Sequence, residues 1–459
     1  MKKQFYTAIA APVLALALLS SCSKEEESIF DDSAANRLTL AKTETAARLT
    51  ADGGKWVMEY FCNDTEPGYL FVMTFNPSGA VEIAADHKWI GNTYRAETSL
   101  WEMIADNGPV LSFNSYNEVF HVFSAPEDIT GPDAPTNPDR LDENGNPSDI
   151  NETGYGHNGD YEFVVMEGDS DHNNIRLLSK KRGYNIYMHR LPADTDPETY
   201  LAQQKAVTDN LFSSVVGSLY LTDGVTGERF VMSQMHTGVA EVYPEAGDAV
   251  TQTVKANFIT TKNGIRFMKP FSIPRADEAA DHYVVETFNI DANSMLVAED
   301  GSRITAPALA DFVLTSGKEW RLDVNSATGA YARIGQMAAD VKAYRRTFSF
   351  SYASLKWDED QNKILLLLKI NGQNSTDGRI YFDVERIDDN TMKFIFVDDD
   401  THYDKAGGAY YKNVPAFKTL VDAFSGSSIA MTTPGVYLFD SIIFMNPANS
   451  DDAFKFNVR

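Results

Sequence analysis

From Trp56 to the end, the chain repeats one local grammar: short runs of β-branched and aromatic residues broken by tight-turn signals. Glu66-Pro67-Gly68, Asn76-Pro77-Ser78-Gly79, Asp106-Asn107-Gly108 and Arg182-Gly183 punctuate the N-terminal half. Proline and glycine there set backbone angles that a continuing strand or helix would not tolerate. Strands are expected at Trp56–Cys62, Tyr69–Phe75, Ala80–Ala85, Thr93–Met103, Val110–Phe113, Val119–Ser124, Tyr161–Glu167, Ile175–Leu178 and Asn185–Arg190. Aromatics make up 12% of residues, which favours strands further. Many short antiparallel strands imply an all-β chain with minor α content, built from tandem barrel or sandwich domains.

Gly54-Lys55-Trp56 opens the first strand, and Tyr187-Met188-His189-Arg190 closes the last one before a linker. This resembles lipocalin-like barrels, where an arginine from the final strand stacks over the tryptophan of a Gly-x-Trp motif. The resemblance implies that Arg190 lies over Trp56. The domain would span 51–192. Ser33 to Arg48 carries good helix formers, so a flexible tether over 22–50 should run into one short helix. Asp196, Pro197 and Glu198 form a helix start: an N-cap, a first-turn proline and an acid at the positive helix end. This helix, within 193–216, links the first β domain to a second at 217–459.

Phe71-Val72-Met73, Gly79 and Glu82-Ile83 recur at identical spacing as Phe230-Val231-Met232, Gly238 and Glu241-Val242. A duplicated barrel-like domain is one reading; chance similarity between hairpins is the other. Later strands are expected at Thr347–Leu355, Lys363–Ile370, Arg379–Ile387, Met392–Val397 and Tyr437–Phe444, with a helix from Pro415 to Phe424 stopped at Gly426. This region either completes the second domain or divides from it near 310. Ala125 to Gly159 is rich in Pro, Asp, Asn and Gly and reads as a long, poorly ordered surface loop.

The N-terminus carries the address. Met1-Lys2-Lys3 is cationic, and the apolar run from Ala8 to Leu19 suits a signal peptide over 1–21. Leu19-Ser20-Ser21-Cys22 resembles a bacterial lipobox, which implies cleavage between Ser21 and Cys22 and lipid on the Cys22 thiol. An ordinary signal peptide beside a chance cysteine is the alternative. Several acyl chains, at about 0.8 kcal/mol per buried methylene, would make such an anchor effectively permanent. Ser23-Lys24-Glu25-Glu26-Glu27 is similar to the acidic signal that sends Bacteroidetes lipoproteins to the outer face of the outer membrane; a solvated spacer on a periplasm-facing protein is the competing reading. No later stretch is apolar for the roughly 18 residues that a membrane helix needs.

With 40 basic and 65 acidic residues, the chain has a formal charge of −25, which repels nucleic acid and anionic lipid. Of two cysteines, only Cys62 stays unlipidated. It falls in a strand-like run and reads as a small buried apolar residue, not a nucleophile. The eight histidines are scattered, no phosphate loop, nucleophile elbow or zinc helix occurs, and no metal or other cofactor is expected. Asp169-Ser170-Asp171-His172-Asn173 starts like a calcium loop but has Asn174 and Lys180 where that loop needs glycine and a bidentate acid. Asp142, Asn144 and Asn146 fail in the same way, and Asp398, Asp399, Asp400 and Asp404 read as a solvated loop.

Phe30-Asp31-Asp32-Ser33-Ala34, Trp56-Val57-Met58-Glu59-Tyr60, Asp106-Asn107-Gly108-Pro109-Val110-Leu111-Ser112-Phe113, Tyr116-Asn117, His121 and Gly159-Asp160-Tyr161-Glu162-Phe163 together resemble a family of uncharacterised Bacteroidetes lipoproteins, domain of unknown function 4302. The resemblance covers about 30 to 190. It implies a surface lipoprotein encoded near polysaccharide-uptake or peptidase loci, with no established activity. The expected role is non-enzymatic: binding a glycan or a partner protein in outer-membrane nutrient acquisition. A lipocalin-like carrier of an apolar ligand, a purely structural envelope protein and a cryptic hydrolase are the alternatives. Trp89, Tyr94, Trp101 and Tyr116 are the candidate ligand-binding aromatics, with Trp89, in a turn-like context, the best placed for an exposed platform.

Overall fold

The computed structural model describes residues 33–106, 108–124, 137–141, 144–145, 147–148, 157–168, 172–212, 218–246, 253–270, 272–273, 282–283, 285–315 and 317–459. The expected signal peptide, Ser21, Cys22, the acidic run, most of the 125–159 segment and the start of the calcium-like Asp169 fragment lie outside them.

Three up-and-down antiparallel barrels follow one another. The first is a nine-stranded sheet with Arg95–Leu100 at one edge and Glu102–Ala105 at the other. These edges are halves of one strand that bends at Trp101. The expected single strand Thr93–Met103 is therefore two, and the bend closes the barrel. The second barrel runs from Leu219–Thr222 to Arg303–Thr305 and the third from Trp320–Asp323 to Asn449–Val458; both are closed with eight strands. The region after 309 is thus a barrel of its own.

An eight-stranded barrel leaves an interior just wide enough for side chains. Met58, Tyr60, Phe71, Met73, Phe113 and Phe163 are fully buried in the first core. Tyr60 packs on Phe71, Phe120, Phe123 and Phe163 with ring centres 5.3 to 6.2 Å apart. Each such side chain contributes about 1.5–3 kcal/mol on burial. Phe120 and Phe123 come from a segment expected to be a strand, Val119–Ser124. It is instead a helical turn at Glu118–His121, because the Asn117 side chain accepts the Phe120 N–H and caps it. The third barrel is filled likewise by the helix Pro415–Ser425, whose Phe424 packs on Phe394, Phe444 and Phe454 at 4.8 to 5.2 Å. A preceding helix, Lys405–Asn413, went unread in the sequence; Asp404, taken for part of a solvated acidic loop, is its N-cap.

Arg190 does lie over Trp56: its guanidinium carbon is 4.3 Å from the ring centre. It also donates to the backbone carbonyls of Arg48 and Ala51, while the Trp56 indole donates to that of Leu49. These carbonyls end the helix Ala34–Thr50, whose last turn has no internal partners for them. The pair thus fastens the N-terminal helix to one end of the barrel. The repeated motif occupies equivalent places, the second and third strands of barrels one and two. Gly79 and Gly238 both stand at positive φ (+89° and +76°) where the turn enters the third strand, a conformation that favours glycine.

Candidate functional site

The first strand, Lys55–Tyr60, is buried on both faces. Trp56, Met58 and Tyr60 face the core by the two-residue period of a strand. The other face is covered too. Val57 packs with Leu191 and with Leu201 of the linker helix Pro197–Phe212. Glu59, only 3% exposed, meets the second barrel. Its carboxylate accepts from Arg266 Nε at 2.6 Å and from His189 Nε2 at 3.1 Å. Arg266 also lies over the Tyr187 ring at 4.3 Å. Burial would raise the Glu59 carboxyl, but hydrogen bonds and charge from His189 and Arg266 outweigh it and hold it low.

The turn after this strand carries the densest polar network. Glu66 Oε1 accepts from Asn63 Nδ2 at 3.1 Å and His157 Nδ1 at 2.5 Å. Its Oε2 accepts from the Tyr69 hydroxyl at 2.6 Å and the Trp89 indole at 3.2 Å. Burial would push this carboxyl up; the contacts with His157, then Tyr69 and Asn63, overcome that and bring it down to about 2. Asn257 of the second barrel donates to the Asn63 and Glu66 carbonyls, and Gly68 N donates to the Phe258 carbonyl at 3.0 Å. A carboxylate, an imidazole and a phenol in contact suggest chemistry, yet both Tyr69 and His157 spend their protons on Glu66. Cys62 Sγ is buried, accepts from Asn63 at 3.5 Å and has its thiol pushed up, first by burial and then by the Glu66 charge. This arrangement latches the end of the 125–159 loop onto the turn. Among the described residues, no cluster of three or more His, Cys, Asp or Glu side chains is arranged to hold a metal.

The four candidate aromatics have separate surroundings. Trp89 is half-buried, bound to Glu66 and Tyr69, and flanked by His157 at 3.9 Å between ring centres and by Lys88 Nζ at 4.2 Å. It is not the free platform expected, because its indole N–H is needed by the Glu66 network. Trp101 is core, edge-on to Phe75 at 5.2 Å. Tyr94 packs beside the linker helix with Leu201 and Tyr200. Tyr116 alone is exposed, at 58%, stacked on His121.

A cleft of about 330 Å³ opens where barrel one, the linker helix and barrel two meet. Asp86, His87 and Lys88 line it from the first barrel, Gln204 and Lys205 from the helix, and Phe258 and Thr260 from the second barrel. Sequence reasoning passed over His87 and Gln204. Only the packing of three distant segments gives them a shared wall, so no local pattern could have flagged them.

A family model described as a domain of unknown function (DUF4302) matches residues 26–280, covering the first barrel, the linker helix and most of the second barrel. No curated protein matches. Among solved structures, the isotype 1 transferrin binding protein B from serogroup B Neisseria meningitidis aligns with 88% of this chain and 76% of its own at 9% identity. Its TM-score of 0.13 is too low to carry an argument.

Proposed function

The chain belongs to the family defined by that domain of unknown function, and from this premise we propose a surface-anchored, non-enzymatic lipoprotein that binds its ligand on the outside of its barrels. The observation that carries this is the filled interior of all three barrels. Fully buried aromatics occupy the first and third, and Phe230, Phe258, Phe267 and Phe288 sit in the core of the second. A carrier of an apolar ligand needs an open lumen, and the side chains packed inside the barrels speak against that alternative. Binding falls to the exterior surface and the junctions, and the ligand is a glycan or a partner protein in nutrient acquisition.

The Leu19-Ser20-Ser21-Cys22 motif supports attachment through lipid on Cys22, and the acidic Glu25-Glu26-Glu27 run supports display on the outer face of the outer membrane. Among the described residues no helix is long and apolar enough to cross a membrane. The test is fractionation of cells expressing the native chain and Cys22→Ala, with external protease added to intact cells. The native chain should stay with membranes until detergent is added and be cut from outside, and Cys22→Ala should be released. A native chain that washes free without detergent sinks the anchor; one that resists external protease while a known surface protein is cut sinks the display. Co-purification with outer-membrane transport components tests the partner.

A further inference from the structure

We propose that one end of barrel three, where the helix Met337–Tyr344 meets the turn of residues 371–377, is a docking surface for an anionic glycan, a chain whose sugar units carry carboxylate or sulfate. The proposal rests on the reading of an external binding surface, and it lies outside residues 26–280, the part that the family model matches. The chain carries 65 acids, yet Lys342, Arg345 and Arg346 stand exposed at the end of this helix, and among the described residues none of them has an ion-pair partner. The cations around them are matched: Arg333 with Asp340, Lys369 with Asp377 and Arg379 with Asp404, at 2.6 to 3.2 Å. A helix C-terminus welcomes one cation, since its carbonyl end is negative. Three within five residues also repel one another, which an acid placed beside them would relieve.

The surroundings choose among polyanions. The Arg345 guanidinium carbon lies 5.2 Å from the Phe348 ring centre and 5.6 Å from that of Tyr344, which holds this cation in place. Tyr344 meets Tyr410 edge-on at 5.8 Å, and the Tyr410 hydroxyl donates to the Thr376 carbonyl at 2.7 Å, so the helix end is tied to the turn. Gly372 packs so closely on the Thr347 carbonyl and on Phe348 that a side chain there would clash. The turn therefore sits beside the cations. It presents Asn371, Gln373 and Asn374, exposed amides that make no side-chain hydrogen bond among the described residues. An amide offers donor and acceptor together to the hydroxyls of a sugar, while the cations take its acid group. A membrane surface needs apolar side chains to insert, and besides Lys342 the exposed residues of this helix are Ala338, Ala339 and Ala343. Nucleic acid demands a larger positive field than a chain of net charge −25 supplies.

The test is titration calorimetry of the purified full chain in non-ionic detergent, at low and at high salt. Polygalacturonate and chondroitin sulfate are the anionic glycans, dextran the neutral one, polyglutamate an anion without sugar, and phosphatidylglycerol vesicles the lipid surface. At least one anionic glycan should bind, and less tightly as salt screens the exposed charges. Lys342→Gln with Arg346→Gln removes two solvent-facing charges and should weaken binding about 10-fold or more at an unchanged melting temperature. Gln373→Ala with Asn374→Gly should weaken the glycan and leave any polyglutamate binding as it was; glycine suits the positive φ of Asn374, +59°. The proposal is overturned if neither anionic glycan binds, if polyglutamate or the vesicles bind as tightly as the glycans, or if both double variants bind like the native chain. Dextran bound equally by the native chain and both variants, with the anionic glycans ignored, would overturn this site and leave an external glycan surface elsewhere on the barrels standing. A chain that binds no glycan of either kind removes the glycan branch of that reading along with the site.

Discussion

The two junctions between barrels differ in how much buried polar contact they carry. Between barrels one and two, Ile259 and Met268 of the second barrel join the buried cluster of the first, and polar contacts are added to them: Glu59 with Arg266, Asn257 with the carbonyls of Asn63 and Glu66, Gly68 with Phe258. Between barrels two and three, one apolar core runs through, and Tyr437 fastens it, donating to the Ile304 carbonyl at 2.7 Å and accepting from Leu296 N at 2.8 Å. Apolar burial is the cheaper way to join two domains, because a buried ion pair must first repay its desolvation. The apolar junction reads as attachment alone. The first junction adds a buried ion pair and interdomain hydrogen bonds to its apolar contact, and a cleft opens beside it.

The largest effect should come from breaking the charge pair. Arg266→Leu leaves Glu59 buried with only His189 against its carboxylate and should cost about 3–5 kcal/mol in chemical denaturation. Glu59→Leu with Arg266→Leu should recover most of that. If the double variant is as unstable as the single one, the pair is a net stabiliser and the contrast between junctions weakens.

Acid sharpens the same contrast. The Glu66 carboxyl is held at about 2 in the folded chain, against an ordinary 4.5. A depressed folded value means its contribution is complete above about pH 4.5 and is lost as pH falls toward 2. The loss is on the order of 3 kcal/mol. From pH 6 to pH 3, hydrogen-exchange protection, taken relative to the intrinsic exchange rate at each pH, should fall first at residues 60–70 and 255–268, and later around Leu296, Ile304 and Tyr437. Glu66→Gln should flatten the pH dependence; equal loosening of both junctions would contradict the distinction.

The smallest effect belongs to the apolar junction. Tyr437→Phe keeps the ring and removes both hydroxyl contacts. A buried carbonyl and a buried N–H are then unpaired, at about 1–3 kcal/mol in thermal or urea unfolding. A loss as large as that of Arg266→Leu would mean that this junction, too, rests on its polar contacts.

Much of the fold was legible in local pattern. The two-residue period and turn residues place most strands of the first and third barrels to within a few residues, and the Asp196-Pro197 start places the linker helix. Gly-x-Trp with a distant arginine located the Trp56–Arg190 pair. Val119–Ser124 misled because its apolar residues are equally suited to a strand; the Asn117 cap and the space inside the barrel made it a helical turn. The candidate site was hardly legible. Trp89 looked exposed from its turn, but the Glu66 carboxylate that claims its indole is 23 residues away in sequence.

By itself, the sequence determined the all-β class, the repeated hairpin and the anchor-like N-terminus, because those depend on periodicity and on motifs read within a few residues. Tertiary structure alone decided which outward faces are covered. A strand's outer side chains point to solvent unless another domain lands on them, and Glu59 became buried only when the second barrel did so. Desolvation by distant chain, which no local pattern encodes, made an ordinary surface glutamate into half of a buried ion pair.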